Sequence, residues 1–537
     1  MSETAVTAES PAPPTSTATT PAATRPRWEI NPIVVKELRQ SVRNWTVTTA
    51  LLLLLLICFL VTVAFLLGES ANNIRSQAMG GQVFTALFSI LTTVSLSFLP
   101  LYVGVRLAWE RTPTNIDLLY ITTLTPARII RGKMLSGVYL AVLFFSVTMP
   151  FMVFTYLLRG VDLPTIFTML LFLFLGNIAG IQLAILVAAL PMNRILKLVV
   201  AGFFGMNALF SVFGIALSAA IGGSGRFSMN VTSWDFWAGA LSVIAIGLLI
   251  TGLAHVCAIA CVTPLAANRA LPVRIYATIM WLLAGVLAST WAWHENSTEP
   301  LAGWMIGTWI LLVLTLMVSV CSQDRRSLRV RQAIPANPRR RFLAYLFYNG
   351  PDSGIAWSAA IGLLTLFICF SIGWLAGWVG HGSLAATSVG PKASPTSDEE
   401  MLLTCTTVLF YLLAYALTAL WLQRRFLVNV STKFASVIFL LMPPLLFLIP
   451  TLFFFFINRL SWDVVDERQL GSLFNLFLHK VQKNHLSEHL LFAAGWLLLI
   501  LLLNARWLIR QIEDFKPYRP EEDEPSRYAG SPPPKLG

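Results

Sequence analysis

TVTTALLLLLLICFLVTVAFLL (46–67) contains no charged side chain. An α-helix rises ~1.5 Å per residue, so a run of this length spans the ~30 Å hydrocarbon layer of a bilayer. Similar runs lie near 82–105, 134–157, 164–190, 198–221 and 236–262. Six more lie near 276–293, 301–321, 354–375, 401–421, 434–456 and 489–505, of which 489–505 is the shortest. The pattern predicts an all-α integral membrane protein of about twelve transmembrane helices.

Composition agrees. Of 537 residues 56% are hydrophobic and 12% charged, with mean hydropathy +0.70; soluble domains carry about 25% charged residues. Residues 1–27 are rich in Ser, Thr, Ala and Pro and contain no apolar stretch, so the first run is expected to stay in the membrane. This tail and residues 511–537, with EEDE and PPP, read as disordered. The six cysteines fall within or at the ends of apolar runs, outside any loop that would form a disulfide framework.

The net charge of +12 does not indicate nucleic acid, because the basic residues sit in short loops between apolar runs. Thirty of the 38 Lys and Arg fall on one side of the alternating runs. The other side holds Arg75, Arg159, Arg226, Lys392, Arg459, Arg468, Lys480 and Lys483. The positive-inside rule then places both termini in the cytoplasm of a multi-pass protein, expected in the plasma (inner) membrane. The far side carries polar loops near 376–400 and 457–488.

The runs themselves are poor in ionisable groups. His255 lies inside one, and Arg106 and Asp235 lie at edges. A neutral His255 bonded to a neighbouring helix is the expectation. Ion-coupled carriers use intramembrane carboxylates as relays, and these runs offer none. A phosphate-cradling loop is also missing: Gly132–Lys133 has Ala127 where the first glycine of G-x-x-x-x-G-K-[ST] belongs. The chain is therefore not expected to be an enzyme or to hold a cofactor, and ATP with Mg would be bound by another polypeptide.

Two cytoplasmic segments carry further information. RWEINPIVVKELRQSVRNW (27–45) places Ile30, Val34, Leu38, Val42 and Trp45 on one helical face, with Lys36, Arg39 and Arg43 away from it. Pro32 suits the first turn. This predicts an amphipathic helix in contact with membrane lipid; an ordinary basic flank is the alternative. RLAWERTPTNIDLLYITTLTPARIIRGK (106–133) is longer than a reversal needs and encloses the apolar run Leu118, Leu119, Tyr120 and Ile121. It predicts helical pieces that dock a soluble partner; a solvated loop is the alternative.

At these residues the chain resembles the ABC type-2 exporter permeases. NPIVVKELR is similar to the opening of that family's elbow helix, which includes Pro32, Lys36, Glu37, Arg39 and Arg43 here. The second segment matches the family's pattern at Glu110, Arg111, Ile116, Asp117, Leu118, Leu119, Thr122, Leu124, Thr125, Pro126, Ile129, Ile130, Gly132 and Lys133. Thr114, Asn115 and Thr123 depart from it. The resemblance covers 28–262 and implies an elbow helix followed by six transmembrane helices. Residues 276–510 are an additional six-helix region without a motif. The resemblance further implies the membrane subunit of an exporter, paired with a second permease copy or a related one. Its 106–133 loop would enter a cleft of an ABC ATP-binding subunit, with Glu110, Arg111, Asp117 and Lys133 as polar contacts.

His485, Glu488 and His489 match H-x-x-E-H, a zinc-protease signature. The site lacks a downstream carboxylate on the same side of the membrane, so no metal is expected. Two rival functions remain: a non-transporting membrane anchor or regulator of an ATPase assembly, and a secondary carrier. The carrier lacks support because the most basic loop (325–341, seven Arg) follows the eighth run rather than the sixth.

Overall fold

The computed structural model describes residues 32–72, 79–110, 125–158, 161–190, 202, 233–264, 266–295, 297, 299–375, 398–428, 433–457, 469–477 and 485–517. The expected run at 198–221 (Gly202 apart), residues 1–27 and 518–537, and Arg111, Asp117, Leu118 and Leu119 lie outside them. The start of the 511–537 tail is ordered, against expectation: Gln511–Glu513 close the last helix and Phe515 is buried. Among the described residues there is no strand.

The helices follow in order: α1 (Pro32–Val42), α2 (Trp45–Asn72), α3 (Met79–Thr93), α4 (Leu99–Glu110), α5 (Pro126–Leu157), α6 (Leu163–Ala189) and α7 (Trp234–Val262). The second half adds α8 (Ala270–Glu295), α9 (Glu299–Val320), the short α10 (Leu328–Gln332), α11 (Pro338–Phe347), α12 (Pro351–Leu375), α13 (Asp398–Arg425), α14 (Lys433–Ile457) and α15 (Leu486–Glu513). Eleven stretches of these are long and apolar enough to cross a membrane, α3 and α4 counting as one. They coincide with the runs read above, and the protein is an α-helical, multi-pass membrane protein.

The join between α3 and α4 has a local cause. Pro100 has no N–H to give the carbonyl of Leu96, and its ring crowds that carbonyl. The chain widens into a π turn over Val94–Phe98, where the N–H of Leu99 donates to the carbonyl of Val94. Hydroxyls within the spans are satisfied locally. Thr62, Thr85, Thr365 and Thr407 each donate to the carbonyl four residues earlier, at 2.7–2.8 Å. In lipid a free hydroxyl has no water to turn to, so it bonds its own helix.

Buried apolar side chains form two large clusters. One draws on α2 to α7, including Phe84, Phe144 and Ile181, and the other on α8 to α15. Helix α13 is the axis of the second: its span is 78% buried, against 11–39% for the other ten. Tyr276 donates to the carbonyl of Leu249 and Trp291 to Ser242, joining α8 to α7.

Candidate coupling site

Helix α1 turns Val34, Glu37 and Ser41 inward, each buried to about 3% exposure or less. These positions repeat at helical spacing, so they form one face. Of the apolar face expected to meet lipid, Val34 is instead packed on protein, while Leu38 is half-buried and Trp45 is exposed. The deciding factor is charge pairing across the chain. Lys133, two turns into α5, brings its Nζ to 2.6 Å from Glu37 Oε1 and to 2.6 Å from Glu110 Oε2. Arg106 of α4 brings Nε to 3.2 Å from Glu37 Oε2 and 3.9 Å from Glu110 Oε1. Two carboxylates thus face two cations and the cluster is neutral. Charges this far from water require such pairing.

Hydrogen bonds complete the joint. Arg106 Nη1 donates to Tyr102 Oη at 3.0 Å, and its other terminal nitrogen donates to Gln40. Asn44, between α1 and α2, donates to the same tyrosine. Helix α5 starts with Thr125 as cap, its hydroxyl accepting from Arg128 N–H, and Pro126 in the first turn. Both ends of the 111–124 loop are therefore anchored on α1: the leading end through Arg106 and Glu110, the trailing end through Lys133. Glu110 keeps 40% of its side chain exposed at the rim. Lys36, Arg39 and Arg43 point outward from α1.

Of the residues singled out in the sequence, Glu37, Glu110 and Lys133 meet here, while Pro126 stands at the head of α5. The centre of the cluster is Arg106, which by sequence alone lies at a span edge. Its spacing of four from Glu110 on one helix was the available signal.

A second polar cluster lies among residues the sequence reading passed over. Arg326 pairs with Asp352 at 2.6 Å, and both side chains are nearly inaccessible. Arg274 donates to the carbonyls of Leu346 and Tyr348 and to Ser353 Oγ at 2.7–3.0 Å. Helix α8 starts six residues before the apolar run read near 276, which is why Arg274 lies within it rather than in a loop. The guanidinium of Arg326 also lies 4.9 Å from the centre of the Phe515 ring. Arg424 stacks 3.4 Å over Trp507, with Asp324 Oδ2 at 3.5 Å. Burial holds the Asp324 carboxyl above the usual carboxylate range, against the opposing pull of Arg424. Burial, with Asp352 next in weight, pushes the Tyr345 hydroxyl well up.

The H-x-x-E-H residues do not converge. His485 precedes α15 with a non-helical backbone (φ −127°, ψ 11°), so it swings out to Glu488 at 3.2 Å. His489 is fully buried and meets Tyr411 Oη at 3.0 Å. Among the described residues no group of three His, Cys, Asp or Glu is placed to hold a metal. Around His489 is a segment the sequence assigned to an outer loop. Residues 469–477 pack inside the bundle, with Gln469, Ser472 and Asn475 buried. Tyr415 donates to the carbonyl of Gly471 at 2.7 Å and accepts from Leu473 N–H; Tyr411 accepts from Gly471 N–H. Tyr415 is twelve residues into the apolar part of α13, about 18 Å at helical rise. Non-helical backbone at such depth persists only where protein groups satisfy it. His255, as expected, bonds a neighbouring helix, its Nδ1 lying 3.1 Å from Gln182 Oε1.

These features define an α-helical membrane protein with a charge-locked joint at the base of one loop. No protein-family model, curated protein or solved structure matches the chain.

Proposed function

We propose that the chain is the membrane-spanning permease subunit of an ATP-driven exporter of the ABC type-2 class. The observation that carries this reading is the Glu37–Arg106–Glu110–Lys133 cluster, which ties both ends of the 106–133 loop to α1. A force applied to the loop would be passed to α1, α4 and α5 together, because separating these helices would leave buried charges uncompensated. The 111–124 stretch, with Arg111, Asp117, Leu118 and Leu119, would enter a cleft of a separate ATP-binding subunit that holds ATP and Mg. A second permease copy or a related one would complete the assembly. The loop then lies on the cytoplasmic side of the inner membrane, with both termini.

The test is purification of the tagged chain from its native membranes, with partners identified by mass spectrometry. An ATP-binding subunit should co-purify with wild type and be lost from Asp117→Ala/Leu118→Ala/Leu119→Ala, which leaves the charge cluster intact. Absence of any ATPase under conditions that preserve other membrane complexes would overturn the reading. A complex that hydrolyses ATP but moves no solute would replace the exporter with a membrane anchor.

A further inference from the structure

Helix α11 has two unlike faces. Ala344 and Tyr345, with Tyr348 just beyond the helix, gather around Phe515, at ring separations of 5.3 and 5.7 Å. On the other side Leu346 and Phe347 pack against the apolar core of the second bundle, so that side of α11 faces the membrane-spanning helices. One turn earlier, Phe342 and Leu343 flank the direction of Leu346 at helical spacing. They have no core beneath them and are 70% and 60% exposed. Arg339 and Arg340 are exposed beside them. From Arg325 to Pro351 there are seven arginines and no carboxylate. Arg326 is taken up by Asp352, which follows that stretch.

An exposed apolar pair one turn from residues that pack on the membrane-spanning helices, with two exposed arginines beside it, is the pattern of a helix lying in the membrane surface. The apolar side chains enter the acyl region while the guanidinium groups reach phosphate oxygens. We infer that α11 is a binding site for anionic phospholipid in the leaflet on the basic side of the protein. Arg339 and Arg340 hold the headgroup phosphate, and Phe342 and Leu343 pack against the acyl chains. The excess of positive charge excludes a neutral headgroup as the preferred occupant. The place of Phe342 and Leu343 one turn from Leu346 and Phe347, which pack on the membrane-spanning helices, sets the pair beside the bundle and favours lipid over a soluble partner. The inference is independent of the exporter reading.

The full chain would be placed in nanodiscs of phosphatidylcholine, alone or with phosphatidylglycerol. Retained phosphatidylglycerol would be counted by native mass spectrometry. Each basic residue near an anionic surface is worth about a fivefold change in binding, so Arg339→Gln/Arg340→Gln should weaken retention about thirtyfold. Phe342→Ser/Leu343→Ser should weaken retention of both lipids. An unchanged elution profile and thermal unfolding midpoint would show that each variant is folded. Retention equal to wild type in the Arg339/Arg340 variant overturns the inference. So does an equal loss in Arg325→Gln/Arg329→Gln, which would reduce the effect to diffuse charge. Protection of Phe342 and Leu343 only on addition of a soluble protein would also overturn it.

Discussion

Lys133 and Glu37 lie 96 residues apart in sequence and 2.6 Å apart in space, both nearly inaccessible to solvent. Each keeps one further partner, Arg106 for Glu37 and Glu110 for Lys133, so truncating either leaves the cluster with one uncompensated charge, at up to about 3–5 kcal/mol. Glu37→Ala and Lys133→Ala should each lower stability by that order in detergent unfolding. In Glu37→Gln/Lys133→Gln both charges are gone, so its loss should be well below the sum of the two single glutamine variants. Additive losses would show that the pair is not coupled.

Glu110 joins the same cluster from the rim, with 40% of its side chain exposed. Its replacement should cost less, since it is the solvent-exposed partner and Lys133 keeps Glu37 at 2.6 Å. Glu110→Gln is expected to destabilise by about 1 kcal/mol. If the loop transmits force, the same variant should bind the ATP-binding subunit normally but lower transport per ATP hydrolysed. A transport-to-hydrolysis ratio equal to wild type would remove Glu110 from the coupling path.

Arg326 and Asp352 form the most deeply buried ion pair among the described residues of the second half. Asp352→Ala should destabilise by about 3–5 kcal/mol. Gly350, at φ +150°, supports the pair: a Cβ there would collide with the Asp352 carboxylate and stand 3.0 Å from Arg326. Gly350→Ala should therefore lower the thermal midpoint in the same direction as Asp352→Ala. Adding it to Asp352→Ala should cost less than it does alone. Equal effects in the two backgrounds would refute the steric link.

Tyr415 supports the inserted 469–477 segment through one donated and one accepted hydrogen bond. Tyr415→Phe removes both and leaves a buried carbonyl and N–H unsatisfied, at about 1–3 kcal/mol for each group. The segment should become accessible to limited proteolysis from the side facing it, while Tyr411→Phe, which spares the Gly471 carbonyl, should have a smaller effect. Unchanged protection in Tyr415→Phe would mean that the segment is held by its apolar neighbours instead.

The membrane helices were legible in the sequence because spanning a bilayer is a local requirement: enough consecutive apolar residues, whatever their neighbours. Eleven helical spans coincide with the expected runs, and the run at 198–221, Gly202 apart, lies outside the described residues. Starts were less legible. Helix α5 begins at Pro126 and α8 at Ala270, several residues before their apolar runs, because caps and buried ion pairs extend helices through polar sequence.

By itself, the sequence determined a multi-pass helical protein whose 27–45 and 106–133 segments belong to its basic side. Only the tertiary structure decided that Glu37, and not Leu38, is the fully buried side chain of its turn, that Arg106 bridges the two segments, and that His489 turns to Tyr411 and away from His485. It also carried residues 469–477 into the bundle. Hydropathy and periodicity describe a residue against its near neighbours, whereas the cost of burying a charge or a bare backbone depends on partners dozens of residues away. Those partners become known only when the helices pack.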